Sequence, residues 1–278
     1  MLQGLVAPLP TAQNGRWTLQ RIIVSVRARE KAQGVLTMLF GDPHGRDDAP
    51  PVELVVGDNV KAAHRADVVI LTCHPHQGRE VLSVPGMEEA LAGKLLVSML
   101  GGVSVAALED GLYAKSASET PSLGRCHILQ AIPNVAAARG KSTTVVGERS
   151  ASIPDDILER GQEALRRIGH PVSVPKDQVP AATALCASGT AFFAWFLEAM
   201  VEAAVAEGIE EAEATRMAAL TMAGAAELVA SGEAPSAVTA RVTTPGGATA
   251  RGLAVLNQSE AKETVVKALR ATASKIRS

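Results

Sequence analysis

Hydrophobic and polar positions follow two regimes along this chain. As far as about residue 174, short apolar runs recur between polar, Gly- or Pro-containing breaks. They are Arg21 to Val26 (RIIVSV), Val52 to Val56, Val68 to Thr72 (VVILT), Leu95 to Leu100, His127 to Ala131 and Thr143 to Val146. Runs of this length, rich in β-branched residues, predict buried strands, and a continuously apolar one such as VVILT fits a parallel strand covered on both faces. Helical stretches separate them. One spans Glu30 to Phe40, and another carries Ala62 and Ala63 behind a cap at Asp58 or Asn59, while Gly41 to Pro51 is a polar loop. Alternating strands and helices predict an α/β fold with a Rossmann-like, doubly wound parallel sheet.

Beyond Pro175 the strand signals stop. Three helical stretches follow, Ala182 to Glu207, Ala212 to Ser231 and Leu253 to Lys275. Two domains are therefore expected: a dinucleotide-binding part over 1–175 and an all-helical part over 176–278, hinged near Val174 to Val179. Small residues such as Ala203, Ala204, Gly224 and Ala225 allow close helix packing. Val179 to Leu197 carries no charge and is long enough to span a bilayer. However, it contains Pro180, Thr183, Ser188 and Thr190 and runs on into Glu198, Glu202 and Glu207, so a buried helix of a soluble protein is expected, without a membrane.

Composition narrows the partners. The chain has 278 residues, 47% of them hydrophobic, which suffices for two cores, and a formal net charge of -2 with basic residues scattered. That balance argues against nucleic acid or an anionic membrane as the main partner. Cys73, Cys126 and Cys186 stand far apart, and the start, MLQGLVAPLP, lacks the features of a secretory signal, so a cytoplasmic location with free thiols is expected. Cys73 with His74 and His76 offers three ligand types, short of the four a structural zinc site takes, and no metal is expected.

The densest chemistry lies in Val242 to Asn257, VTTPGGATARGLAVLN. Pro245 fixes its own φ, Gly246 and Gly247 permit positive angles and close approach, and Thr249 opens a helical run from Ala250 to Leu256. The unpaired N–H groups and positive dipole end of a helix start make Gly247, Ala248 and Thr249 a seat for a carboxylate. An ordinary Pro-Gly-Gly turn capping a helix is the plainer reading of the same residues.

This stretch resembles the signature of the pyrroline-5-carboxylate reductase family at Val242, Thr243, Thr244, Gly246, Gly247, Thr249, Gly252, Leu253, Leu256 and Asn257. The resemblance implies that Gly246, Gly247 and Ala248 hold the substrate carboxylate and that Thr249 bonds the ring nitrogen as the catalytic residue. LCASGTAF at Leu185 to Phe192 resembles a family helix start, keeping Ser188 and Gly189 as substrate contacts while Thr190 replaces proline. On the cofactor side the resemblance points to Arg27 and Arg29 for the 2′-phosphate of NADPH, and to Asn59. It also points to Cys73, His74 and Pro75 in ADVVILTCHPHQ, Gly101 in SMLGGV, and Pro133 and Asn134 in QAIPNVAA. His74 replaces the usual lysine, His76 the usual glutamine and Gln130 the usual arginine.

The implied activity is NAD(P)H-dependent reduction of 1-pyrroline-5-carboxylate to L-proline, with NADPH favoured and NADH an alternative. The implied assembly is a homodimer, or a higher oligomer, built through the C-terminal helices. One family part has no match: no strand with a GxGxxG turn precedes the first readable strand, and Met1 to Ala7 reads as the tail of the helix that should follow it. The expectation is a truncated or divergent member whose central strand is absent, leaving its neighbours with unpaired backbone groups. Two alternatives follow, a reductase of a related cyclic imine and a catalytically silent homologue that serves as an assembly partner.

Overall fold

A computed structural model of the chain describes residues 19–30, 34, 51–114, 124–151 and 153–277; most of the expected Glu30 to Phe40 helix, the 41–50 loop and the N-terminal residues fall outside them. The chain divides into two compact units, one reaching Ala187 and one running from Ser188 to Ile276. The residues just after Pro175 group with the first unit because the helix Val179–Thr183 packs on its sheet. Gly147 makes room for that contact, since a Cβ there would meet the Val179 side chain at 2.5 Å.

Among the described residues the first unit forms seven strands: β1 (Ile22–Val26), β2 (Val52–Val56), β3 (Val68–Leu71), β4 (Leu95–Ser98), β5 (His127–Ile132), β6 (Ser142–Arg149) and β7 (Gly169–Ser173). Strands β1 and β2 pair in parallel, and the other five form a sheet in the order β3-β4-β5-β6-β7. Strand β4 lies between β3 and β5, and its four residues are wholly buried. Leu95 and Val97 enter one apolar cluster with Leu129, Val146, Leu165 and Ile168, whereas Leu96 enters another with Leu71, Leu100, Leu108 and Ile128. Successive side chains of a strand point to opposite faces, so a sheet covered on both sides needs an unbroken apolar run. Helices α1 (Asn59–His64), α2 (Gly78–Leu82), α3 (Met87–Leu91), α4 (Val105–Tyr113) and α5 (Asp155–Ile168) supply the cover. On α5, Gly161 lies so near Leu95 that a Cβ would strike the leucine.

Two features depart from a purely parallel sheet. Strand β6 runs antiparallel to β5, with a bulge between Leu129 and Ala131, and β7 then pairs with β6 in parallel. The link from β5 to β6, residues 133–141, is too short for a crossover, so the chain must turn back; α5 supplies the crossover that lets β7 run with β6. Strand β7, GHPVS, has no apolar run to announce it, and Pro171 is tolerated because β7 is an edge strand. Among the described residues no ladder joins β1 to β3, although Ile22 and Val24 share a cluster with Val68 and Ile70.

The second unit is helical: α7 (Gly189–Ala206), α8 (Glu211–Ala230), α9 (Pro235–Arg241), α10 (Ala248–Gln258) and α11 (Ala261–Arg277), with α6 the Val179–Thr183 helix of the first unit. The single helix expected over Leu253 to Lys275 is two. The Ser259 hydroxyl bonds back to the Val255 and Leu256 carbonyls, and Glu260 takes φ +51, a left-handed conformation that ends the first helix. The short α9 went unread because Thr239 and Thr243, which bond back to Pro235 and Thr239 carbonyls, leave little apolar periodicity. Lys176–Ala206 is apolar and long enough to cross a membrane by length and composition alone. It is not buried in the single chain, contrary to the expectation. Phe193 is 58% exposed and Trp195 67%, and the buried residues described in this unit are Gly189, Ala214 and Ala273.

Gly169 joins α5 to β7 at φ +145, a conformation open to glycine, and any Cβ would collide with the Ser142 backbone beside it. A Gly169→Ala substitution is therefore expected to destabilise the protein by about 3 kcal/mol, through strain and overpacking together. Urea denaturation followed by circular dichroism measures it, and a change under about 1 kcal/mol contradicts this account of the β6–β7 edge.

Candidate active site

The expected cofactor residues gather after the carboxyl ends of the parallel strands, where doubly wound sheets bind their ligands. Arg27 and Arg29 follow β1, Asn59 follows β2, Cys73 to His76 follow β3, Gly101 follows β4, and Pro133 with Asn134 follow β5. Both arginines are exposed. Arg27 lies 3.6 Å from Glu80 on α2, a solvent-exposed pair of little energetic weight that leaves the guanidinium free to meet a phosphate. Asp58, not Asn59, caps α1 by accepting the Lys61 N–H at 2.9 Å. Asn59 is the first helical residue, and its Oδ1 accepts from the Ser25 hydroxyl at 2.7 Å. The rings of His74 and His76 stack with their centroids 5.6 Å apart, and partial burial raises the Cys73 thiol pKa.

Gly101 and Gly102 open the loop after β4, with free space where a Cβ would stand on either. The loop is held from beneath. Gln130 sits at the β5 bulge, donates through Nε2 to the Val103 carbonyl at 3.2 Å and accepts the Glu148 N–H at 3.4 Å. Glu148 in turn accepts the Val105 N–H at 3.3 Å and Lys176 Nζ at 2.8 Å. The replacement of arginine by Gln130 thus leaves a buried, neutral crosslink. Glu148, Lys176, Ser25 and Glu80 carried no sequence signal, being isolated polar residues whose partners lie far along the chain.

Pro133 and Asn134 begin the turn after β5. Asn134 caps the following 3-10 turn, Val135–Arg139, through Oδ1 to the Ala136 N–H at 2.9 Å, and its Nδ2 donates to the Cys186 carbonyl at 2.9 Å. Cys186 lies in a π-helical turn, Ala184–Ser188, which leads directly into Gly189. Ser188 is half-buried and Gly189 buried.

In the second unit, Thr244 to Gly247 form a tight turn. Gly246 has φ +71, and the Gly247 N–H donates to the Thr244 carbonyl at 3.0 Å. Proline followed by a left-handed glycine at the two central positions is the type II pattern. Gly247 caps α10 with no side-chain hydrogen bond, and a Cβ on it would strike the Thr244 hydroxyl. The Arg251 N–H reaches back to the Gly247 carbonyl at 3.2 Å. The N–H groups of Ala248, Thr249 and Ala250 therefore precede the first helical bond. Gly246, Ala248 and Thr249 are exposed, so no side chain of the turn plugs the helix mouth. The Gly247 N–H is committed to closing the turn.

Comparison with known proteins shows which family the chain belongs to. Residues 176–278 match the family described as pyrroline-5-carboxylate reductase dimerisation, and residues 7–102 match NADP oxidoreductase, coenzyme F420-dependent. A pyrroline-5-carboxylate reductase from an Acremonium species is 45% identical over 282 residues, covering 100% of this chain and 88% of the relative. One from Lophium arboricola is 43% identical over 79% of this chain and 69% of its own length. The solved pyrroline-5-carboxylate reductase of Coxiella burnetii superposes with a TM-score of 0.75 at 25% identity, over 92% of this chain and 87% of that one. A dinucleotide-type sheet followed by a helical dimerisation region defines an oxidoreductase architecture. The chain belongs to the pyrroline-5-carboxylate reductase family.

The crosslink at Gln130 is testable without substrate. Gln130→Leu leaves the Val103 carbonyl and the Glu148 N–H without their partner, and is expected to cost about 1–3 kcal/mol. Hydrogen exchange at residues 101–105 should accelerate with it; unchanged exchange there means that the loop is held by other contacts.

Proposed function

We propose that this protein reduces 1-pyrroline-5-carboxylate to L-proline, with NADPH as the hydride donor and NADH as an alternative. The observation that carries the reading is the open helix mouth at Gly246 to Thr249, uncapped by any side chain, in a chain of this family. An N-terminal helix end favours an anion through its aligned N–H groups and dipole. Ala248 and Thr249 hold the substrate carboxylate, while the Thr249 hydroxyl bonds the ring nitrogen and polarises the C=N bond. Ser188 and Gly189 complete the substrate contacts.

On the cofactor side, Arg27 and Arg29 take the 2′-phosphate, and Asn59, Cys73, His74, Pro75, Gly101 and Pro133 line the rest. Exposed arginines and the uncrowded Gly101 loop support that assignment. Bound NADPH supplies the hydride that the imine carbon accepts. The ring nitrogen gains a proton as the C=N π bond is lost, so the protein's task is alignment and polarisation and not covalent catalysis. A related cyclic carboxylate imine fits the same donors, since His74, Gln130 and Thr190 differ from the usual residues.

The assembly is a homodimer through the C-terminal helices. Support comes from the dimerisation match over 176–278 and from the exposed apolar residues Phe193, Trp195, Phe196, Met200 and Leu220, which a lone helical unit leaves in water. The location is cytoplasmic, where the three free thiols remain reduced.

A second reading, a silent assembly partner, draws on the absence of a ladder between β1 and β3 among the described residues. Titrating NADPH against its own fluorescence separates the two: saturable binding with proline formation removes the silent reading, and no binding at millimolar cofactor removes the reductase. Thr249→Ala should lose about a hundredfold in kcat, the usual worth of a polarising group, while the melting temperature holds. Undiminished turnover takes Thr249 out of the chemistry. Replacing Trp195 and Phe196 together by Glu should convert dimer to monomer in light scattering at micromolar protein; an unchanged mass moves the interface elsewhere.

A further inference from the structure

We infer that Asn134 is a positioning residue: its side-chain amide donates to the Cys186 carbonyl and so holds the π turn that delivers Ser188 and Gly189 to the substrate. The inference rests on the reductase reading proposed above. Three atoms of Asn134 are committed within the chain. Its backbone N–H donates to Ser142 Oγ at 3.0 Å, Oδ1 accepts the Ala136 N–H at 2.9 Å, and Nδ2 donates to Cys186 across 52 positions of sequence. Ser142 Oγ lies 2.9 Å from Thr144 Oγ1, and both residues are fully buried. The asparagine is thus braced by a buried hydroxyl pair and a cap, which leaves its amide one direction in which to point.

The carbonyl that it reaches belongs to an unusual segment. Ala184–Ser188 is a π turn inserted between two helical stretches, and wide turns of this kind displace carbonyls from the regular i to i−4 ladder. A side-chain donor to the Cys186 carbonyl from outside the turn favours one backbone register for the residues that follow. Ser188 ends the turn and Gly189 starts α7, so both inherit that register. Asn134 lies beside Pro133 after β5, among residues of the cofactor side. Its chemistry, however, is spent on the backbone segment of the substrate side.

The test is Asn134→Asp in the full chain. Aspartate keeps the oxygen that caps Ala136 and replaces the donor with an oxygen facing the Cys186 carbonyl. The expected result at neutral pH is faster amide exchange at residues 184–190 and an imine KM raised about tenfold, the worth of one lost buried hydrogen bond. The NADPH dissociation constant stays within about twofold, as a broken contact elsewhere leaves it unaffected. Lowering the pH protonates the new carboxyl, restores a donor, and should narrow the KM gap to wild type, a recovery that general loosening does not produce. Asn134→Ser, which keeps a cap but cannot reach Cys186, is measured in parallel and reports the same split if the aspartate variant does not fold. A weakened NADPH affinity with unchanged imine KM overturns the inference and makes Asn134 a cofactor ligand. Exchange at 184–190 needs no turnover, so a wild-type protein that reduces no imine defeats the reductase reading while leaving the Asn134 brace to be judged by exchange alone; unchanged exchange in both variants overturns the brace.

Discussion

A helical region that cannot bury its own apolar side chains is the constraint on which the rest of this structure depends. Between Ser188 and Ile276 the described buried residues are one glycine and two alanines, while aromatic and aliphatic side chains face outward along α7, α8 and α10. Large exposed apolar patches of this kind mark association surfaces in soluble proteins. The small residues along these helices suit close approach by other helices, and the match to a dimerisation family gives that surface its natural use. The helix start at Gly247 is built into this same region.

The first unit meets a different requirement. Its sheet is doubly covered around β4, where alternate residues feed opposite clusters, and that rigidity keeps the loops at the strand ends in place. Buried and half-buried polar side chains then tie those loops across long stretches of sequence: Gln130 to the loop after β4, Glu148 to the start of α4 and to Lys176, Asn134 to the π turn. Each is charge-neutral or partly exposed, so none bears the desolvation penalty of an isolated buried charge. A family arginine replaced by glutamine at 130 fits this pattern, because the neutral amide satisfies a carbonyl and an N–H at once.

Local chemistry explains which elements were legible in advance. Six strands announced themselves as apolar runs, and the turn at Thr244 to Gly247 could be read from proline and glycine alone, since the left-handed angle at Gly246 has few other occupants. Strand β7 was not legible. Its residues, Gly169, His170, Pro171, Val172 and Ser173, form a strand because β6 offers an edge and Gly169 fits against Ser142, a condition set wholly by a neighbour. The reversal of β6 was equally hidden, for direction depends on the length of the connection and not on the strand's own composition.

By itself, then, the amino-acid order determined the α/β-then-α division, the individual apolar strands, the glycine turn at the start of α10 and the residues at the strand ends. All of these follow from periodicity, backbone preference and chain continuity, which act over a few neighbouring positions. Tertiary structure alone decided the antiparallel turn-back, the exposure of α7 and the reach of Asn134 to Cys186. Those depend on which distant groups become neighbours, and a hydrogen bond or a buried face belongs to two segments at once.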